Sequence, residues 1–420
     1  MRVLFVLNTF PPSYTGGAEV AAYHTARGLQ RAGVECSVLV INNRMTAGVD
    51  EWFTLDGLTV HRVNAPPRRS AAPRDVFDWR LYRACSAELR RLQPAIVHIH
   101  NVSGATLAPY VACRTAGVPV VGTLHDYWLL CPNNSLYRQD GAMCDALKGP
   151  SGCGHCFRGY DYWADIPARR VIFKTLTANA RMFISPSQRL IDIHVASGYR
   201  RERFTNVPAG LDEEIHAPTH PEVRDIIATA PEHNTLVFAG GGTRTKGVEV
   251  LLRALPILIR DVPRLRVVVV GGGESIFLDR LRAFAPAVRV LNYIPFGEMR
   301  MLFASAQLSL SPSTWQDNSP VVIYENQQMG TPVVGADIGG IPELIREGET
   351  GYLFPAGDAD ALAQKVIGHF ARPPEDRRRM RLQCAADARE MRSLARHIES
   401  VKAIYGRVTH DAWRAPAGRG

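Results

Sequence analysis

Long apolar runs are missing from this 420-residue chain. No stretch approaches the roughly 20 apolar residues needed to cross a bilayer. The apolar start Val3–Leu7 follows a single Arg2 and is broken by Asn8, too short for a secretory signal core. A cytosolic protein is therefore expected, with peripheral attachment to the cytoplasmic membrane as its variant, and disulfides are not expected. Lysine is scarce as well: 5 of the 49 basic residues, the other 44 being arginine. That skew fits a GC-rich coding sequence, so the formal charge of +9 does not by itself mark a nucleic-acid partner. The positive excess is scattered, apart from Arg377, Arg378, Arg379 and Arg381. Short repeats and low-complexity tracts are absent too. With 46% hydrophobic and 21% charged residues, the composition excludes collagen, a disordered chain and a disulfide-stapled miniprotein.

What is present is an alternation. Arg2–Leu7, Glu35–Ile41, Ile96–Ile99, Pro119–Leu124 and Met182–Ser185 read as strands in the first half. Thr235–Ala239, Leu265–Val270, Val288–Leu291, Leu308–Ser311 and Pro332–Gly335 do so in the second. Continuous apolar runs suit parallel strands buried on both faces. Helical periodicity fills the gaps, as where Val248, Leu251, Leu252, Leu255 and Ile259 share one face. The pattern predicts α/β domains of parallel βαβ units. It restarts after a polar, proline-rich stretch. The expected organisation is a domain over 1–207, a linker over 208–231, a second domain over 232–385, and a helical segment 386–410 packing back on the first. Two facing doubly wound domains make a cleft, and ligands sit beyond the carboxyl ends of such strands.

At those ends in the second half lie the candidate site residues. The strand ending at Ala239 runs into Gly240-Gly241-Gly242-Thr243-Arg244-Thr245-Lys246-Gly247 before a helix. Glycines let backbone N–H groups approach an anion, and Lys246 adds a full charge. The spacing matches neither the P-loop nor G-x-G-x-x-G, and a plain packing turn is the alternative. Gly271-Gly272-Gly273-Glu274 reads as a tight strand-to-helix turn. After Leu308–Ser311, the loop carries Asp317, Asn318 and Ser319, and Glu325 follows on a new helix eight residues after Asp317. A carboxylate there can accept two hydrogen bonds from a ribose diol; alternatively Asp317 is an N-cap and Glu325 a solvated helix residue.

In the first half, Gly16-Gly17 opens a helix after the first strand, and His98 and His100 alternate along another. His125-Asp126 follows the strand 119–124. Cys131, Cys144, Cys153 and Cys156 fall together in a glycine-rich loop, 131–156, as C-x12-C-x8-C-x2-C. Four thiolates at this spacing are a candidate structural zinc site; buried free thiols, a labile disulfide and an iron–sulfur cluster are the other readings. Cys36, Cys85, Cys113 and Cys384 are isolated and read as packed apolar residues.

The run from Ser311 through Gly330–Val334, Gly339–Glu343 and Gly348–Leu353 resembles retaining glycosyltransferases of family 4. The resemblance spans nearly the whole chain, is most specific over 311–355, and extends to a cysteine-bearing loop found in some members. It implies the two-domain GT-B fold and sugar transfer from a nucleotide-sugar to a hydroxyl of a polysaccharide, glycolipid or natural product. Lys246 would hold the diphosphate, with Gly16, Gly17, Arg244, Asn318 and Ser319 around the donor. Glu325 would hold the ribose hydroxyls and Asp317 the hydroxyls of the transferred sugar. His125 would act at the reacting sugar, with Asp126 and His100 on the acceptor side. Two departures stand out: Asp317 replaces the usual Glu, and Gly241 occupies the place of an Arg whose charge Arg244 is a candidate to supply. The resemblance further implies front-face attack without a catalytic metal, where double displacement would need a carboxylate nucleophile. A sugar-nucleotide epimerase or hydrolase of the same fold, and a non-catalytic sugar-nucleotide-binding protein, are the competing functions. Nucleotide base, sugar, acceptor and oligomeric state are not readable from these residues.

Overall fold

The computed structural model describes every residue except 13–15, 43–49, 65–76, 101, 103–105, 139–140, 145–155, 157–164, 212–216, 293, 295 and 415–420. The chain divides into two compact units, Met1–Gly210 with Leu394–Gly420, and Leu211–Ser393.

The first unit is built on eight strands: β1 (Arg2–Leu7), β2 (Glu35–Asn42), β3 (Glu51–Leu55), β4 (Leu58–Asn64), β5 (Ile96–Ile99), β6 (Val120–Thr123), β7 (Ala180–Ser185) and β8 (Phe204–Asn206). They lie in the order β3-β4-β2-β1-β5-β6-β7-β8. All pairings are parallel except the β3–β4 hairpin. That hairpin turns on Asp56 and Gly57, at φ +48° and +82°, a two-residue turn of the kind Asp-Gly favours. The central strands are buried on both faces, and Val3–Leu7 and Ile96–Ile99 lose nearly all their exposure.

Helix Leu394–Arg414 belongs to this unit, burying Ile398, Val401, Ile404, Tyr405 and Val408 against Val3, Phe5, Ala22, Ala26 and Leu29. It approaches helix Gly17–Arg31 so closely that a Cβ on Gly28 would lie 2.7 Å from Ile398 Cδ1. The expected single helical segment 386–410 is therefore two pieces. Helix Pro374–Arg392 stays with the second unit, and extended Ser393 ends it at ψ 148°.

The second unit carries β9 (Asn234–Phe238), β10 (Leu265–Val270), β11 (Val288–Leu291), β12 (Leu308–Ser311), β13 (Val333–Ala336) and β14 (Gly351–Phe354), all parallel, in the order β11-β10-β9-β12-β13-β14. The sheet grows outward from β9 on one side and from β12 on the other. The direction of winding reverses between those two strands, the place where doubly wound sheets hold ligands. Helix Val248–Asp261 buries Val248, Leu251, Leu252, Leu255 and Leu258. Ile259, expected on that face, is turned toward solvent.

The stretch 208–231 is not a free linker throughout. Helix Pro221–Ala228 packs Val223 and Ile226 against Val237, Val268 and Phe303. Its start is fixed by Glu298, which accepts from the Thr219 hydroxyl at 2.5 Å and the His220 N–H at 2.9 Å.

Candidate active site

The site in the second unit begins with loops that cannot separate. Gly247 sits at φ +88°, and a Cβ there would lie 1.8 Å from the Pro312 carbonyl oxygen. The loop after β9 is thus pressed against the loop after β12, which only glycine permits. The Thr314 N–H donates to the Thr245 carbonyl at 3.0 Å, and its hydroxyl to the Arg244 carbonyl at 3.2 Å. The turn after β13 closes in from the other side: the Gly340 N–H donates to the Asp317 carbonyl at 2.8 Å, and Gly339 has φ +63°.

This scaffold brings Lys246 and Asp317 together. Lys246 Nζ donates to Asp317 Oδ2 at 2.7 Å, and the Ser313 hydroxyl donates to the same oxygen at 3.0 Å. Asp317 is buried, whereas the lysine side chain keeps 38% of its exposure. Lys246 Nζ also lies 5.6 Å from the Trp315 ring centroid. The cation is tethered at one end and open to solvent at the other.

Glu325 lies in the helix Val321–Gln328, whose first turn leaves N–H groups without a side-chain cap. The residue is 7% exposed. Burial pushes its carboxyl up to about 8, with the Arg300 guanidinium pulling the other way. Among the described residues nothing donates a hydrogen bond to this carboxyl. Arg300 is fully buried and bonds Gln328 Oε1. Ser319 Oγ pairs with Tyr324 Oη at 2.6 Å, and Asn318 is buried beside it in the chain.

In the first unit, His125 follows β6 and His100 follows β5. His125 Nε2 and His100 Nδ1 are 3.0 Å apart, with the rings stacked at 5.3 Å. Burial lowers His125 to about 4 and His100 well below its ordinary value, so both are neutral at pH 7. His98 is tied at both nitrogens, to Tyr405 Oη at 2.6 Å and Thr123 Oγ1 at 2.7 Å, as a structural histidine should be.

Comparison with known proteins gives this geometry a context. Residues 15–215 match the model for Glycosyltransferase Family 4, and residues 233–371 the model for Glycosyl transferases group 1. The chain belongs to glycosyltransferase family 4. D-inositol 3-phosphate glycosyltransferase 1 of Catenulispora acidiphila is 27% identical over 373 residues, 84% of this chain and 81% of that protein. The D-inositol 3-phosphate glycosyltransferase of Paenarthrobacter aurescens is 26% identical over 366 residues, 83% of each. Among solved structures, Anabaena HepE in complex with UDP-glucose superposes with a TM-score of 0.71 at 17% identity, covering 97% of this chain and all of that one. Sucrose-phosphate synthase from Thermosynechococcus elongatus does so with 0.72 at 15% identity, covering 98% and 99%. The fold is GT-B, as the resemblance implied.

Within this glycosyltransferase the expected residues fare unequally. Lys246, Asp317, Asn318, Ser319 and Glu325 are assembled around the β9–β12 junction of one unit, and His100 and His125 pair in the other. Arg244 is engaged elsewhere, with Nη1 3.6 Å from Glu249 Oε1 and its guanidinium 5.2 Å from the Phe277 ring centroid. Gly241 has a steric cause: at φ +54°, a Cβ would sit 2.0 Å from the Gly272 carbonyl oxygen. The two glycine-rich loops are zipped together there, the Gly242 N–H donating to Gly272 and the Glu274 N–H to Gly242, each at 3.0 Å. No side chain fits, and an arginine least of all.

At the Gly16-Gly17 helix start, the Gly16 N–H is taken by Glu19 Oε2 at 2.9 Å, with Glu19 Oε1 accepting from the Thr9 hydroxyl at 2.9 Å. A buried acid thus occupies a place read as favourable for an anion. Asp126 accepts from the Trp128 N–H at 2.8 Å, making a local turn. Of the cysteine cluster, Cys153 lies outside the described residues. Cys131 and Cys156 carry free thiols, and Cys131 and Cys144 pack on the apolar core of the first unit. Among the described residues no three His, Cys, Asp or Glu side chains come together as metal ligands. No helix among the described residues is long and apolar enough to cross a membrane. Ser313, Arg300 and the pairing of His100 with His125 escaped the sequence reading. An arginine inside the otherwise apolar run Met299–Phe303 was the one available signal.

Proposed function

We propose that this family 4 enzyme is a retaining glycosyltransferase that uses a nucleoside diphosphate sugar and needs no catalytic metal. The observation that carries the reading is the Lys246–Asp317–Ser313 cluster at the reversal of strand order, followed in the chain by the buried Glu325, to whose carboxyl no described residue donates a hydrogen bond. The UDP and UDP-glucose held by HepE support a donor of that class. Glu325 accepts the two ribose hydroxyls, its oxygens receiving no hydrogen bond from the described residues. Lys246 turns from Asp317 to the diphosphate, and the uncapped N–H groups of helix Val321–Gln328 add partial positive charge. Asp317, released from the lysine, meets hydroxyls of the sugar.

Transfer then follows a front-face path. The bond from the anomeric carbon to the phosphate oxygen breaks as the acceptor oxygen approaches on the same face. The acceptor proton passes to the departing phosphate oxygen, so the nucleoside diphosphate leaves protonated and the anomeric configuration is kept. The protein's share is orientation and the stabilisation of growing phosphate charge. His125 serves the reacting sugar or acceptor, and Arg244 supplies a second cation if it leaves Glu249. Acceptors of this chemistry are hydroxyls of glycans, glycolipids or natural products.

The blocked position at Gly241 favours one second reading, a sugar-nucleotide binder without turnover. A thermal-shift screen of nucleoside diphosphates and their sugars tests the donor site. At 100 times its dissociation constant a ligand adds about 2.7 kcal/mol of stability. A shift with one nucleotide, lost in Lys246→Ala, is the expected result; no shift with any nucleotide overturns the donor site. Product analysis separates enzyme from binder.

A further inference from the structure

Asp317 receives two side-chain hydrogen bonds, and both fall on the same oxygen. Lys246 Nζ donates to Oδ2 at 2.7 Å, and the Ser313 hydroxyl to Oδ2 at 3.0 Å. Among the described residues nothing donates to Oδ1, and the 8% exposure that the side chain keeps leaves that oxygen within reach of solvent. The two oxygens of a carboxylate are chemically equal. Here the surroundings make them unequal, one clamped and one open.

The backbone of Asp317 is held as well. Its N–H donates to the Trp315 carbonyl at 2.6 Å, and its carbonyl accepts from the Gly340 N–H at 2.8 Å. Gly339 comes so near that a Cβ there would lie 2.2 Å from the Asp317 carbonyl oxygen. With the backbone pinned, the aim of the carboxylate is set by what holds Oδ2.

The two clamps differ in permanence. Lys246 reaches Asp317 from 71 positions away on a long side chain that keeps 38% of its exposure, and the proposed donor site sends it to the diphosphate. Ser313 lies 1% exposed in the same loop as Asp317, four residues before it, on a short side chain. It cannot follow. Without Ser313, a lysine that leaves would strand a nearly buried carboxylate with no side-chain donor among the described residues, and an unsatisfied buried charge is costly.

We infer that Ser313 is a positioning residue: its hydroxyl keeps Oδ2 of Asp317 in place while Lys246 serves the diphosphate, so that Oδ1 is presented as the acceptor for one hydroxyl of the transferred sugar. A requirement on the donor follows. A carboxylate oxygen only accepts, so the sugar must carry a free hydroxyl at the position that Oδ1 faces. A site built to bind a substrate O–H rejects the analogue lacking it far more strongly than an apolar pocket would. The inference rests on the proposed donor site.

The test uses the nucleoside diphosphate sugar selected by thermal shift and its monodeoxy analogues, with wild type, Ser313→Ala and Ser313→Thr. Wild type should lose roughly tenfold or more in kcat/KM when one particular hydroxyl is removed. Ser313→Ala should lose about as much on the parent sugar and little more on that analogue, so the preference between them shrinks. Ser313→Thr keeps the hydroxyl and should keep the preference. Calorimetric Kd values for the nucleoside diphosphate alone should stay within about threefold in both variants. In an Asp317→Ala background Ser313→Ala should add no further loss, as befits a residue acting through another. A Ser313→Ala enzyme that retains the wild-type preference, or that loses parent sugar, analogue and bare nucleotide alike, overturns the inference and leaves the donor site standing. Wild type that uses every monodeoxy analogue as well as the parent sugar also overturns it, and needs no variant to fold. Failure of wild type to bind any nucleoside diphosphate overturns the donor-site reading and this inference with it.

Discussion

Replacing Glu325 by glutamine should make the protein more stable and a poorer binder of its donor. In the unfolded chain this carboxyl ionises near its ordinary value of 4.5, whereas burial in the fold raises it to about 8. Folding must therefore keep it neutral between those values and takes up a proton to do so. A raised carboxyl contributes stability that is present below pH 4.5, falls as pH rises through the window, and levels off above pH 8. At pH 7 the ionisation forgone in the unfolded chain spans about 2.5 pH units, worth about 3 kcal/mol at 1.36 kcal/mol per unit. Above pH 8 the full span of about 3.5 units corresponds to about 5 kcal/mol. Glutamine has no such loss. Urea titrations of wild type and Glu325→Gln should thus diverge with rising pH, nearly matched at pH 4.5 and separated by up to about 3 kcal/mol at pH 7.

Donor binding should change the opposite way. A carboxylate accepting two ribose hydroxyls loses one acceptor on amidation, at about 1.5–3 kcal/mol for a charged hydrogen bond, or roughly ten- to a hundredfold in Kd. Calorimetry in two buffers should find proton release on binding below pH 8 in wild type and none in the variant. A stability gap independent of pH, or a variant that binds nucleotide as tightly as wild type, would refute the reasoning.

Three further outcomes follow from the geometry. Lys246→Ala leaves Asp317 buried with Ser313 as its remaining side-chain partner among the described residues. It should weaken nucleoside diphosphate binding in calorimetry by more than tenfold, because a charge-assisted contact to phosphate is worth about 1.5–3 kcal/mol. Gly241→Arg, which would restore the residue usual in the family, should destabilise rather than activate. The added Cβ meets the Gly272 carbonyl at 2.0 Å, and a urea midpoint unchanged from wild type would contradict the zipped loops. A chelator should leave the transfer rate unchanged if Lys246 and the start of helix Val321–Gln328 serve the diphosphate as proposed; a rate lost to chelation and restored by added divalent cation would contradict that proposal.

Much of the fold was legible because parallel strands buried on both faces write themselves as apolar runs. Arg2–Leu7 and Leu265–Val270 stand in the structure with the expected bounds. The β3–β4 hairpin was harder to see, since Glu51–Leu55 lies at an edge with Trp52 half exposed and carries no such run. The helix break at Ser393 left no mark either, because its cause is tertiary: the residues after it bury themselves in the first unit. For the site, Lys246, Asp317 and Glu325 stood out as charged residues at strand ends, but their spacing alone left plain turn, cap and surface readings open, and only the resemblance to family 4 gave them roles. That Lys246 spends its charge on Asp317 could not be read, because the contact spans 71 positions and depends on Gly247 letting two loops touch. The absent arginine was visible as a departure, and only the Gly241–Gly272 approach explains it.

The central claim is sugar transfer with retained configuration from a nucleoside diphosphate sugar. The most direct measurement follows the protein with the sugar nucleotide chosen by the thermal-shift screen and a pool of hydroxyl-bearing acceptors. It records nucleoside diphosphate release together with proton NMR of the product's anomeric signal. The account predicts release that depends on the acceptor, and a new glycosidic bond with the anomeric configuration of the donor. An inverted product, an isomerised donor, or release of free sugar at the same rate with and without acceptor would contradict it.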